Sequence, residues 1–105
     1  MSFFFTTNLN AMKRSIQKLT DHYQTIYARL HRSGIEYATG QIAHFTAIDC
    51  IYRAKSEAHG VFIGVDAMAA PGYSEELILC SGWIARIDEK AKDIERRILN
   101  KTLSE

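Results

Sequence analysis

The sequence contains little of what loop-rich or disulfide-bonded folds require. Its 105 residues include one proline, two cysteines and six glycines. A single proline favours long uninterrupted helices over a loop-rich β fold, because proline interrupts helices and is common in turns. The two cysteines, Cys50 and Cys80, lie within helical patterns and do not make a disulfide framework. We therefore expect reduced, buried thiols in a cytoplasmic protein.

Strong net charge and long apolar runs are also missing. The formal net charge is +1, so the chain as a whole resembles neither a nucleic-acid-binding nor a membrane-binding protein. No run approaches the roughly 18 apolar residues of a membrane-spanning helix. Residues Met1 to Phe5 lack the basic region and apolar core of a signal peptide. The apolar fraction of 47% and the length predict one globular domain over residues 1–105.

The clearest pattern present lies in the last third of the chain, between Ser74 and Leu103. Apolar or small residues recur there with alternating gaps of three and four, the heptad spacing that keeps one side of a helix against a partner helix. They are Leu77, Cys80, Ile84, Ile87, Ala91, Ile94 and Ile98. Ser74 is a suitable N-cap, and Glu75 and Glu76 are favourable in a first turn. These features predict a helix over 74–103, about 45 Å long.

The first third repeats this spacing and predicts a helix over 8–32. Its heptad positions are Leu9, Met12, Ile16, Leu19, Tyr23, Ile26 and Leu30. Asn8 or Thr7 is a suitable N-cap and Gly34 a suitable C′ residue. Residues 1–7 are predicted to form an N-terminal tail. Its three phenylalanines either fold back over the first helix or dock into a partner protein, and the sequence leaves both open.

The middle of the chain predicts a second helix over 35–70. Its apolar stripe, Ala38, Ile42, Phe45, Ile48 and Tyr52 with Ile51 beside it, is broader than a strict heptad, as expected for a helix that contacts two neighbours. The short connection 32–34 predicts that the first two helices are antiparallel neighbours. Gly40 would then lie within the second helix and permit a close helix approach. The alternative is an end at His59, but we favour continuation to residue 70, before Pro71-Gly72, through a stretch that is distorted or broken at 60–64.

Groupings that carry chemistry are weak in this sequence. The four histidines do not stand three or four residues from one another or from a cysteine, so no helix presents a ready metal site. No glycine-rich phosphate loop is present. Arg14, Arg53 and Arg86 could clamp an anionic substrate, but solvated arginines explain them more simply. We therefore predict a protein that is not an enzyme and that uses no metal or cofactor.

These patterns together predict an all-α fold, a bundle of three long, roughly antiparallel helices with coiled-coil-like stripes. Stripes this long predict a homodimer that completes a larger bundle. The predicted function is that of a small non-enzymatic protein-interaction module, an adaptor, chaperone, inhibitor or regulator that binds another macromolecule. The candidate partner-binding residues are Phe3, Phe4, Phe5, Tyr27 and Trp83, aromatics of the kind that dominate binding interfaces.

An alternative prediction is nucleic-acid binding through the first helix. Residues 1–34 carry five basic residues against Asp21 alone, a local charge of +4. The candidates are Lys13, Arg14, Lys18, Arg29 and Arg32, enough for a few phosphate contacts. Against this, the helix lacks the interleaved aromatics of single-strand binders. Attraction to the acidic remainder of the chain also explains the charge.

Overall fold

The chain folds into three helices that pack against one another. The computed structural model describes the backbone of residues 2–68 and 74–104 and the side chains of residues 14–68 and 75–104. Helix α1 spans Ser2–Ala38, α2 spans His44–Ala67 and α3 spans Ser74–Ser104. Each helix contacts both of the others, and the described residues contain no strand. The predicted all-α three-helix bundle is confirmed.

The directions of the helices follow from contacts between them. The Tyr23 hydroxyl of α1 reaches Ala58 of α2, whereas Tyr37 of α1 lies beside His44 of α2, so these two helices are antiparallel. Tyr23 stacks on Trp83 of α3. Because Lys101 lies over the ring of Tyr37, α1 and α3 run parallel. The start of α2 therefore lies beside the ends of α1 and α3.

The heptad stripes of α1 and α3 form most of the core. On α1 the buried apolar side chains are Tyr23, Ile26, Leu30 and Tyr37, and on α3 they are Cys80, Trp83, Ile87, Ala91, Ile94 and Ile98. Leu19 and Ile84 pack against this core while partly buried. The predicted stripes are thus confirmed from Leu19 to Leu30 in α1 and from Cys80 to Ile98 in α3, whereas Ile16 and Leu77 are only partly buried and lie outside the core cluster. Leu9 and Met12 lie outside the described side chains.

The boundary between α1 and α2 differs from the prediction. Helix α1 ends at Ala38 instead of residue 32, and α2 begins at His44 instead of residue 35. The reason is that the heptad stripe of α1 continues past Leu30 through buried Ser33 and Tyr37. The Ser33 hydroxyl donates to the Leu30 carbonyl at 2.7 Å, which satisfies it within the helix.

Two glycines exchange the roles that the sequence predicted for them. Gly34 lies inside α1 against α3, where an added Cβ would be 3.0 Å from Cγ1 of Ile94. Gly34 therefore permits the close approach of two helices. Gly40 has φ of +76° and ends α1. The Gln41 N–H donates to the Glu36 carbonyl at 2.8 Å and the Gly40 N–H to the Tyr37 carbonyl at 3.1 Å, the hydrogen bonds of a Schellman motif.

The remaining boundaries are as follows. Helix α1 begins at Ser2, so residues 2–7 belong to the helix and not to a separate tail. Helix α2 passes Gly60 and Gly64 without interruption and ends at Ala67. Of the predicted extension to residue 70, Met68 is the C-cap of α2 and no longer helical, and residues 69 and 70 lie outside the described part. Helix α3 ends one residue beyond the predicted 103.

The inner side of α2 is built from small residues. Ala47, Ile51, Ala54 and Ala58 are its buried residues, spaced by the same alternation of three and four. The predicted stripe placed Phe45 and Tyr52 in the core, but these side chains are 83% and 66% exposed. The broad apolar stripe predicted for α2 combined residues from two sides of the helix, one that faces the core and one that faces solvent. The alanine side faces inward because the large side chains of α1 and α3 already occupy the space.

Candidate protein-interaction surface

An apolar groove runs between the first half of α2 and the end of α3. We call it the α2–α3 groove. Its volume is about 350 Å³, and its lining residues are His44, Ile48, Ile51, Tyr52, Glu95, Ile98, Leu99 and Thr102. Ile51 and Ile98 form its floor because both are buried. Antiparallel packing of α2 and α3 brings these distant segments of the chain together.

Large exposed apolar side chains border this groove. Tyr52 and Leu99, on opposite walls, are 66% and 57% exposed. Phe45 adjoins the lining residue His44, and the two rings lie 6.0 Å apart. Leu103 follows the lining residue Thr102 and is also exposed. Phe45 and Tyr52 are seven residues apart, which places them on one side of α2 about 10 Å apart along the axis. Apolar side chains gathered in this way are typical of binding surfaces.

Charged residues near the groove are paired with one another. The Lys55 ammonium contacts the Glu95 carboxylate at 3.5 Å, linking α2 to α3. The Arg53 guanidinium contacts the Asp49 carboxylate at 2.9 Å within α2, but Arg53 lines a pocket between α1 and α2 and not this groove. Both pairs are largely exposed, so each adds little stability. The Lys55–Glu95 pair gives the apolar groove one polar edge, and a polar rim is usual in protein interfaces.

The predicted partner-binding aromatics Tyr27 and Trp83 are brought together, but within the bundle. Trp83 is only 8% exposed. Its ring stacks on Tyr23 at 6.2 Å between centroids and meets Tyr27 edge-on at 6.3 Å. The Arg86 guanidinium covers it at 4.3 Å. Trp83 is therefore a core residue. The side chains of Phe3, Phe4 and Phe5 lie outside the described residues.

Tyr23 joins the three helices at one point. Its hydroxyl donates a 3.0 Å hydrogen bond to the Ala58 carbonyl of α2, and its ring contacts Trp83 of α3. Burial, followed by the nearby Cys80 thiol, raises the pKa of Tyr23 well above its ordinary range. The hydroxyl stays protonated and acts as a structural donor.

The predicted basic residues do not act as one group. The Arg29 guanidinium donates a bidentate pair of hydrogen bonds to the Glu57 carboxylate of α2, from Nη2 to Oε2 at 3.0 Å and from Nη1 to Oε1 at 3.3 Å. Arg14, Lys18 and Arg32 are exposed on α1, and the exposed Asp21 lies between them in sequence. The side chain of Lys13 lies outside the described residues. Nucleic-acid binding stays a prediction, and the exposed side chains available for phosphate contacts are Arg14, Lys18 and Arg32.

The groove was not predicted from the sequence, although a signal was available. The breadth of the α2 stripe indicated two apolar sides, of which one had to face away from the bundle. Leu99 and Leu103, four residues apart, fall outside the heptad stripe of α3. Apolar residues left over on two adjacent helices indicate a shared outer surface. Which parts of the two helices meet depended on the α1–α2 boundary, which was placed wrongly.

In the part of the chain that the structure describes, no group of three or more His, Cys, Asp or Glu side chains could hold a metal ion. No helix in the described part is long and apolar enough to cross a membrane. Comparison with protein-family models, curated proteins and solved structures finds no match to this chain. The geometry of the chain itself must therefore carry any functional argument.

Proposed function

We propose that this chain is a non-enzymatic protein-interaction module, of the adaptor, chaperone, inhibitor or regulator type, that binds an amphipathic helix of another protein in the α2–α3 groove. The observation that carries the proposal is the exposure of Phe45, Tyr52 and Leu99 around one groove. Aromatic side chains beside a pocket are the residues that contribute most to binding energy in protein interfaces.

The groove has the shape and chemistry that a helix requires. A groove between two antiparallel helices accepts a third helix with apolar residues at i, i+3 or i+4, and i+7. The seven-residue spacing of Phe45 and Tyr52 matches two turns of such a helix. Burying one of these aromatics fully would contribute about 1.5–3 kcal/mol to the free energy of binding. The bound helix would complete a four-helix bundle.

The test is site-specific cross-linking in the cells that produce the protein. A photo-reactive phenylalanine analogue is placed at position 45, and in a matched control at position 25, where Thr25 is exposed on α1. We expect a discrete adduct with a different protein from position 45 alone. Tyr52→Glu should abolish that adduct without unfolding the chain, because Tyr52 is largely exposed.

Three outcomes would contradict the proposal. The first is an adduct pattern at position 45 that matches the pattern at position 25. The second is an adduct of the chain with itself only, which would assign the groove to self-association. Mapping the cross-linked peptide to a segment without helical apolar spacing would reject the helical partner.

A further inference from the structure

The solvent side of α3 carries a second heptad stripe, separate from the one in the core. We call it the outer stripe. Its centre is charged and consists of Glu89, Lys92 and Arg96. Its ends are apolar or small: Ile78, Gly82 and Ala85 at one end, and Leu99 and Leu103 at the other. All eight residues are exposed, and the gaps between them alternate between four and three over the whole helix.

The spacing of the outer stripe reads the same in both directions along α3. In an antiparallel pair of α3 helices, each residue of the outer stripe can therefore lie at the same height along the helix axis as a stripe residue of the second copy. Ile78 lies level with Leu103 of the second copy, and Gly82 lies level with Leu99 of the second copy. Ala85 lies level with Arg96 of the second copy, and Glu89 lies level with Lys92 of the second copy. Each of these four levels occurs twice, as a twofold-symmetric interface requires.

We propose that two copies of this chain pair through their outer stripes, with the α3 helices antiparallel. The ends of the stripe supply the apolar contact, because Ile78 and Leu103 are 71% and 76% exposed in the single chain. Burying such side chains against one another is the main favourable contribution to association. All the residues that line the open surface along this side of α3, from Ala85 to Leu99, belong to α3 itself, so a second helix can approach it.

Gly82 fits this arrangement sterically. A Cβ atom at Gly82 would meet no other atom within 4 Å in the single chain. Glycine inside a helix costs about 1 kcal/mol relative to alanine, and nothing within the single chain requires it at this position. In the antiparallel pair, Gly82 leaves room for the Leu99 side chain of the second copy.

The charges of the outer stripe favour a second copy of this chain as the partner, and they favour the antiparallel orientation of the two α3 helices. The antiparallel pair places Glu89 beside Lys92 of the second copy, and the symmetry produces that attractive contact twice. A parallel pair would instead place Glu89, Lys92 and Arg96 each beside its own copy, with like charges in contact. Charged residues at heptad positions reduce stability but fix the direction and register of pairing. The outer stripe is therefore complementary to itself in one direction only.

This pairing does not rest on the proposed function. Leu99 belongs to both surfaces, and Leu103 of the outer stripe also lies beside the groove. Glu89 and Lys92 lie outside the α2–α3 groove, however, and Phe45 and Tyr52 lie outside the outer stripe. Substitutions at 89 and 92 therefore test the pairing, and substitutions on α2 test the groove.

The experiment is a charge reversal followed by sedimentation equilibrium over a range of micromolar concentrations. The unmodified chain should sediment at twice its monomer mass of 11.9 kDa. Glu89→Lys and Lys92→Glu should each weaken dimerisation about 10- to 30-fold, because two attractive contacts become repulsive. The double variant E89K/K92E should dimerise like the unmodified chain. An equal mixture of the two single variants should form mixed dimers, since their charges are complementary.

Circular dichroism is the control for folding, and each variant should be folded because the substituted positions are exposed. A monomeric unmodified chain throughout this concentration range would overturn the proposal. Dimers that are unaffected by either single reversal would overturn it too, as would a double variant that fails to recover dimerisation. Recovery in both the double variant and the mixture would establish the antiparallel register.

Discussion

Helices α2 and α3 differ in the size of the apolar side chains that they bury. In α3, Trp83, Ile87 and Ile94 point into the core. In α2 the inner positions are mostly alanine, whereas Phe45 and Tyr52 face solvent. The difference shows that the size of an apolar residue does not decide whether it is buried. The core was filled by the large residues of α1 and α3, so the small side of α2 fitted closely and its large side remained outside.

The largest expected effect is a change in the free energy of unfolding when isoleucine is replaced by alanine on the inner and on the outer side of α3. Ile87 is fully buried and Ile78 is 71% exposed. We expect Ile87→Ala to lower the free energy of unfolding by about 2–5 kcal/mol, through lost burial and a residual cavity. Ile78→Ala should change it by less than about 0.5 kcal/mol in the monomer. Urea denaturation at a concentration that keeps the chain monomeric measures both. Similar losses for the two variants would show that the inner side of α3 is assigned wrongly.

An intermediate effect concerns Tyr23, which holds the alanine side of α2 in place. Tyr23→Phe removes the hydrogen bond to the Ala58 carbonyl and should cost about 1 kcal/mol at neutral pH. The pKa of Tyr23 is raised above its ordinary value of 10.0, so the folded chain holds this proton more tightly than the unfolded chain. The stability linked to Tyr23 is therefore fully present below pH 10 and is lost as the pH rises further.

Denaturation at neutral pH and above pH 10 measures this difference. The loss of stability in alkali should be smaller in Tyr23→Phe than in the unmodified chain. Tyr52→Phe is the matched control, because Tyr52 is exposed on the outer side of α2, and its alkaline loss should equal that of the unmodified chain. An unchanged alkaline loss in Tyr23→Phe would mean that the Tyr23 hydroxyl is not held in the core.

The smallest expected effect tests the outer side of α2. Phe45 is 83% exposed, so Phe45→Ala should leave the free energy of unfolding within about 0.5 kcal/mol of the parent value. Thermal melts of the monomeric chain are the measurement. A loss near that of Ile87→Ala would place Phe45 in the core and remove the basis for the α2–α3 groove.

Much of the fold could be predicted because a heptad stripe is a local signal. The stripes containing Ile26 and Ile94 were recognised from spacing alone, and both residues are buried. The end of α1 could not be predicted in this way. Ser33-Gly34 has the composition of a helix end, and only the contact of Gly34 with Ile94, sixty residues later, shows that the helix must continue. The roles of the two glycines are decided by tertiary packing.

The candidate site was harder to predict than the fold. Trp83 was selected because aromatics are common in interfaces, but the same ring also suits a core that needs to fill space opposite alanines. Phe45 was assigned to the core because it is apolar and falls on the spacing of the stripe predicted for the second helix. In both cases the residue type was compatible with either location. The choice depended on which helix faces which, and that information is not local to the chain.

The alanine side of α2 has a consequence for motion as well as for packing. The buried residues of α2 end at Ala58. Beyond it, Val61, Phe62 and Val65 pack against the core only while partly buried, and the same turns include Gly60 and Gly64. Local opening of a protein begins where detachment exposes the least buried apolar surface. The backbone amides of α2 beyond Ala58 should therefore exchange their hydrogens with solvent sooner than those around Ile26 in α1 or Ile87 in α3. We expect the C-terminal turns of α2 to open at a lower free-energy cost than the middle of either α1 or α3.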